Sequence, residues 1–214
     1  MGKVSLLDVA PTQGPDHKAT ANATLHGTAD ATGGRFSILT NPDQIRLLYI
    51  ISKYSSPARK AGDEELCVRF IPLSVLVYEA IVEEILQYDY APSPRPICYQ
   101  GTTRIVWMNV SQECIAALDD FITKELVNNV KLQSRDFTNV IAYQITDKGQ
   151  KFLARAPKNI TLKVDDFLYR GGDVLQVRFD GTDFEMYTDS GYNVKSGVTK
   201  IEDLSYVRCG STGR

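Results

Sequence analysis

Three stretches decide the fold of this chain: Ser111-Gln-Glu-Cys-Ile-Ala-Ala-Leu-Asp-Asp-Phe-Ile-Thr123, Leu126-Val-Asn-Asn-Val-Lys-Leu132, and Val140-Ile-Ala-Tyr-Gln-Ile-Thr-Asp-Lys-Gly149. Ser111 is a helix cap, and Ile115, Leu118, Phe121 and Ile122 recur at the spacing of one helical face. The pattern stops near Lys124-Glu125. Leu126-Val127 then opens a strand that runs to about Gln133. Ser134-Arg-Asp136 is turn chemistry, and Val140 to Ile145 is the returning strand. Thr146 caps a further helix, which Phe152 and Leu153 pack down.

Upstream, Asn41-Pro-Asp43 combines a capping side chain, a proline at the first helical position and an acid in the first turn. A helix is expected from there to about Tyr54, largely buried through Ile45, Leu47, Leu48, Ile50 and Ile51. Arg69-Phe-Ile-Pro72 leads into a second helix, capped by Ser74, with its body from Val75 to Tyr88. Its apolar face is wide and leaves Glu79, Glu83, Glu84 and Gln87 to solvent. That width suits a core helix, or a core helix that also pairs with another subunit. Ala91-Pro-Ser-Pro-Arg-Pro96 reads as a stiff extended connection. Short strands follow at 97–99 and 103–108.

Downstream, residues 159–214 read as a small β-rich unit. Leu175 to Phe179 alternates, Asp180-Gly181 is a hairpin signal, and Phe184 to Tyr187 returns. Val198 to Ile201 and Leu204 to Val207 are candidate further strands. Residues 1–36 are rich in Thr, Ala, Gly and Asn and read as a disordered tail. The expected organisation is a tail over 1–36, a helical domain over 37–158 and the β-rich unit over 159–214. The fold class is α+β.

The order helix, strand, turn, strand, helix in 111–155 resembles the winged-helix families, in particular helix-turn-helix regulators of the PadR and MarR kind. Ser111, Leu118, Leu126-Val127 and Tyr143-Gln-Ile-Thr146-Asp-Lys-Gly149 carry the resemblance. It implies that residues 111–123 are the groove-reading helix and that 133–138 form the tip of the wing. Such families read DNA with that helix, and reading guanine needs Arg or Lys. Here the side chains outside its apolar face are Gln112, Glu113, Ala116, Asp119 and Asp120. Three are acids and none is basic. Winged helices also serve as protein-binding modules, and Gln112, Glu113, Asp119 and Asp120 are the candidate contact residues for that use. In the alternative, a dimeric DNA-binding regulator, Lys124, Lys131, Arg135 and Lys151 would supply the phosphate contacts.

Charge favours the protein partner. The chain has 24 basic and 26 acidic residues, a net charge of −2. Residues 101–155 hold seven basic and six acidic groups, without the basic surplus that phosphate binding uses.

Chemistry is sparse. The two histidines, His17 and His26, both lie in the tail. That leaves no histidine for a Ser-His-Asp or Cys-His arrangement or for a zinc site in the folded part. Phosphate-loop, dinucleotide and nucleophile-elbow motifs are missing. Asp180, Asp183, Glu185 and Asp189 lack the spacing of a calcium loop. Asp119-Asp120 and Asp165-Asp166 diverge as neighbours and do not form dyads. Cys67, Cys98, Cys114 and Cys209 form no CxxC pair and read as reduced, mostly buried thiols. Cys114 lies near a helix N-terminus, which could lower its pKa, but a buried structural thiol is the better reading.

The expectation is therefore a non-enzymatic adaptor or scaffold module with no cofactor and no metal. Its partner would be another protein, and a homodimer is possible. The opening residues are not a secretory signal, and no apolar run would span a membrane. A cytoplasmic location follows, with the nucleus open.

Overall fold

A computed structural model describes residues 39, 41–57, 64–132 and 140–201. Helix α1 spans Pro42–Tyr54, strand β1 Val68–Arg69 and helix α2 Phe70–Val82. Strands β2 (Ala91–Tyr99) and β3 (Thr102–Val110) precede α3 (Gln112–Thr123). Strands β4 (Val127–Leu132) and β5 (Val140–Ile145) lead into α4 (Asp147–Leu153) and α5 (Lys158–Leu168). The remaining strands are β6 (Tyr169–Arg170), β7 (Asp173–Val174), β8 (Gln176–Phe179), β9 (Phe184–Tyr187) and β10 (Asn193–Lys195). The class is α+β, as expected.

Local chemistry sets the helix starts. The Asn41 side chain accepts the Asp43 amide at 2.9 Å, with Pro42 at the first helical position. The Ser111 hydroxyl accepts the Cys114 amide at 3.1 Å, and the Thr146 hydroxyl accepts the Gly149 amide at 3.0 Å. These three caps stand where the sequence put them. Ser74 does not cap α2. That helix begins at Phe70, and the Ser74 hydroxyl donates back to the Phe70 carbonyl at 2.8 Å. Proline fits the first turn of a helix, so Pro72 pulls the start upstream. The helix also stops at Val82 instead of Tyr88, because Glu84 turns into the left-handed region at φ 57°. Val82 is exposed, and Glu79 is half-buried.

Strands β1, β5 and β4 form one antiparallel sheet in that order. Sequence reading placed the β4 and β5 pair almost to the residue. The expected wing tip, 133–138, lies outside the described residues. The 91–96 connection is instead the first part of a long ribbon. All nine residues of β2 pair with β3, from Ala91 with Val110 to Tyr99 with Thr102, around Gln100-Gly101. Its inner face is the odd positions of β2 and the even positions of β3, and Ile97, Met108 and Val110 are buried there.

The β-rich unit opens with a helix, α5, that composition did not disclose. Tyr49 on α1 donates to the Asp165 carboxylate of α5 at 2.8 Å, and the Lys53 ammonium lies 3.0 Å from it. Strands β8, β9 and β10 form an antiparallel sheet. The Asp180-Gly181 hairpin is real, but its loop is four residues, because Phe179 pairs with Phe184. Residues 197–200 turn and do not form a strand. Leu204 to Val207 lies outside the described residues, as does the 1–36 tail.

One apolar core runs through all of this. Leu47, Leu76 and Phe121 belong to the same buried cluster as Phe167, Val177 and Phe184. The Tyr54 hydroxyl donates to the Leu175 carbonyl at 2.7 Å across the helical and β parts. A second tie joins α2 to the C-terminal turn. The Glu79 carboxylate accepts the Ser196 hydroxyl at 2.5 Å and the Gly197 amide at 2.9 Å.

Candidate interaction surface

Helix α3 buries Cys114, Ala117, Leu118 and Phe121, while Ile115 and Ile122 sit at the margin, half-buried. The face is thus turned slightly from the one the larger side chains suggested, because the small Cys114 and Ala117 carry part of it. Opposite lie Gln112, Ala116, Asp119 and Thr123, spaced 4, 3 and 4, all exposed. That is one helical stripe. Glu113 flanks it, also exposed, and its carboxylate accepts the Asp89 amide at 2.6 Å.

Asp120 is set apart from the stripe. It is half-buried and ion-paired with Lys124 at 2.7 Å, and Gln44 donates to it at 3.5 Å. Three of the four candidate protein-contact residues, Gln112, Glu113 and Asp119, therefore share a surface, and the fourth is engaged inward. The four candidate phosphate contacts are not brought together as a set. Lys124 is neutralised by Asp120. Lys131 is exposed on β4, Lys151 is exposed on α4, and Arg135 lies outside the described residues. Lys148, on the same helix as Lys151, pairs with Glu125 at 2.9 Å.

Cys114 is buried at the first turn of α3, and burial pushes its thiol up to about 12. Cys67 and Cys98 are half-buried and not disulfide-bonded, more open than expected, and Cys209 lies outside the described residues. The acids of the β8–β9 hairpin are taken up by neighbours. Asp183 pairs with Lys195 at 2.9 Å and Glu185 with Arg178 at 2.6 Å. Asp180 accepts the Thr182 and Asp183 amides, which hold its carboxyl below the usual range. Among the described residues no group of His, Cys, Asp and Glu is arranged to hold a metal ion. Among them no helix is long and apolar enough to cross a membrane.

Sequence reasoning allowed that an aromatic such as Trp107 could be exposed to anchor a partner, but it did not foresee the ribbon whose outer face places it there. Pro94, Pro96, Ile105 and Trp107 are all exposed there, Ile105 by 64% and Trp107 by 53%. Pro94 stands across from Trp107 and Pro96 across from Ile105. The alternation of three prolines before Gln100-Gly101 was the available signal. The ribbon is held by its tip as well as by its inner face. Tyr99 packs edge-on against Phe179, with ring centroids 5.5 Å apart. Gly181, at φ 106°, lies against the Tyr99 ring, where a Cβ would collide.

No curated protein and no solved structure matches the chain. Residues 43–197, more than two thirds of it, match the model of a family described as the uncharacterized protein MJ1567 family. The matched span runs from the first turn of α1 to the turn that Glu79 holds, and the chain belongs to that family.

Proposed function

We propose that this chain is a non-enzymatic protein-binding module, an adaptor or scaffold component working in the cytoplasm, built on a winged-helix-like unit. The order α1, β1, α2, α3, β4, β5 and the β1-β5-β4 sheet support the winged-helix reading, with the β2–β3 ribbon inserted before α3. The observation that carries the functional reading is the stripe Gln112, Ala116, Asp119 and Thr123 with Glu113 beside it. It is exposed, acidic and without a cation. A phosphate backbone is repelled by such a face, whereas a basic protein surface is attracted to it.

The test is affinity capture with the full chain as bait, beside a Glu113→Lys/Asp119→Lys bait. The reading expects a partner retained at low salt, released by added salt, and lost by tenfold or more with the double variant. Binding to duplex DNA in a mobility-shift assay, abolished by Lys131→Ala and Lys151→Ala, would replace it with the regulator reading.

A further inference from the structure

The two edges of the ribbon differ. Pro92, Pro94 and Pro96 pair with Asn109, Trp107 and Ile105. Proline has no N–H, so these positions are the ones whose backbone points away from β3, and the outer edge of β2 lacks donors there. The same phase turns the N–H and C=O of Thr103, Ile105, Trp107 and Asn109 away from β2. Asn109 agrees with that phase, since its amide donates outward to the Val198 carbonyl at 2.8 Å. The amides of Thr103, Ile105 and Trp107 have no such partner among the described residues. One edge is closed by prolines. The other is open among the described residues and is bordered by exposed apolar side chains.

The geometry points to a second copy of this chain as the occupant of that edge, β3 pairing antiparallel with its equivalent about a two-fold axis at Ile105. With the axis there, Thr103 faces the partner's Trp107, and all three open positions on each copy are satisfied. Sliding by two residues one way sets Arg104 against the partner's Arg104, like charges directly opposed. At the Ile105 axis only the partner's turn residue Gly101 reaches Asn109, whose amide is taken by Val198; sliding the other way drives the strand residue Thr103 onto it. At the Ile105 axis Arg104 faces the partner's Val106. The four-stranded sheet that results ends in proline-bearing edges on both sides, so pairing stops at two copies. A contact limited to one strand edge is small for a specific interface. The dimer is therefore concentration-dependent. This inference stands apart from the α3 reading, and either can fail alone.

The experiment is sedimentation velocity on the full chain from about 1 to about 200 µM, with emission from Trp107, the only tryptophan, followed in parallel. A monomer–dimer transition with a blue shift is expected. Ile105→Pro removes the outward amide while leaving the pairing to β2 intact, and should weaken the dimer at least tenfold. If circular dichroism shows that variant to be unfolded, Ile105→Lys replaces it, bringing two charges together at the axis. Ile105→Cys should give a disulfide between copies under oxidising conditions, mapped by mass spectrometry. A monomer at 200 µM, or a dimer indifferent to folded variants at Ile105, overturns the proposal. So does hydrogen-exchange protection of the Ile105 and Trp107 amides in the dilute monomer, which would mean the chain covers its own edge.

Discussion

Gly149 lies against Leu126 so closely that a Cβ on it would collide with the Leu126 carbonyl oxygen and press on Ile145. That carbonyl also accepts the Thr146 amide at 3.0 Å and the Thr146 hydroxyl at 3.1 Å. The first turn of α4 is thereby fastened to the junction of α3 and β4. Gly149→Ala should cost about 1–3 kcal/mol, as overpacking against backbone does. Urea denaturation should show a lower midpoint at unchanged slope. A midpoint equal to wild type would mean that α4 shifts freely.

Tyr88 gives a change of opposite sign. It is 7% exposed, and its hydroxyl oxygen is buried without a hydrogen-bond partner among the described residues. A buried polar group left unpaired costs stability. Tyr88→Phe should therefore stabilise the fold, by roughly 1 kcal/mol. A loss of stability in the same denaturant series would reveal a hidden partner for the hydroxyl.

Cys114 predicts a pH dependence. Burial raises its thiol from 9.0 in the unfolded reference to about 12. The native state thus holds a proton that the unfolded state gives up first. The stabilisation is complete below pH 9 and is lost as pH climbs from 9 towards 12, by up to about 1.4 kcal/mol per pH unit. Cys114→Ala should flatten that part of the stability curve. Thiol labelling read by mass spectrometry should modify Cys67 and Cys98 in the native protein and Cys114 only on unfolding.

Glu79 and Ser196 form a coupled pair. A double-mutant cycle with Glu79→Ala and Ser196→Ala should return a coupling of about 1–2 kcal/mol, since a hydrogen bond to a carboxylate is one of the stronger kinds. Additive effects would show that the carboxylate is held by the Gly197 amide alone.

The parts of the fold legible in the sequence were those set by short-range chemistry. Asn41, Ser111 and Thr146 each bond a backbone amide two or three residues on, so cap and helix are written together. The β8–β9 pair was legible for a similar reason, its strands being joined by the four-residue loop 180–183, and β4 and β5 were legible as apolar runs on either side of Ser134-Arg-Asp136. What escaped depends on distant partners. Helix α5 carries Ile160, Val164, Phe167 and Leu168 at helical spacing, a signal overlooked beside the β-rich pattern downstream, and it is fixed by Tyr49 and Lys53 more than a hundred residues earlier. The ribbon was misread because proline usually argues against a strand. Three prolines in one phase cost the ladder nothing, since each lacks an amide only on the unpaired side. Of the candidate site, the acidic stripe on α3 was readable from periodicity. The inward turn of Asp120 was not, because it depends on Lys124 and Gln44.

The Glu79 tie also imposes a timetable on synthesis. Ser196 leaves the ribosome 117 residues after Glu79, about 6–23 s later at ordinary elongation rates. Until then the half-buried carboxylate of α2 lacks its Ser196 and Gly197 partners, and the Asn109 amide waits a shorter time for Val198. Native architecture is therefore completed late in translation, and a nascent chain stalled before Ser196 would carry a helical half whose Asn109 amide still lacks Val198.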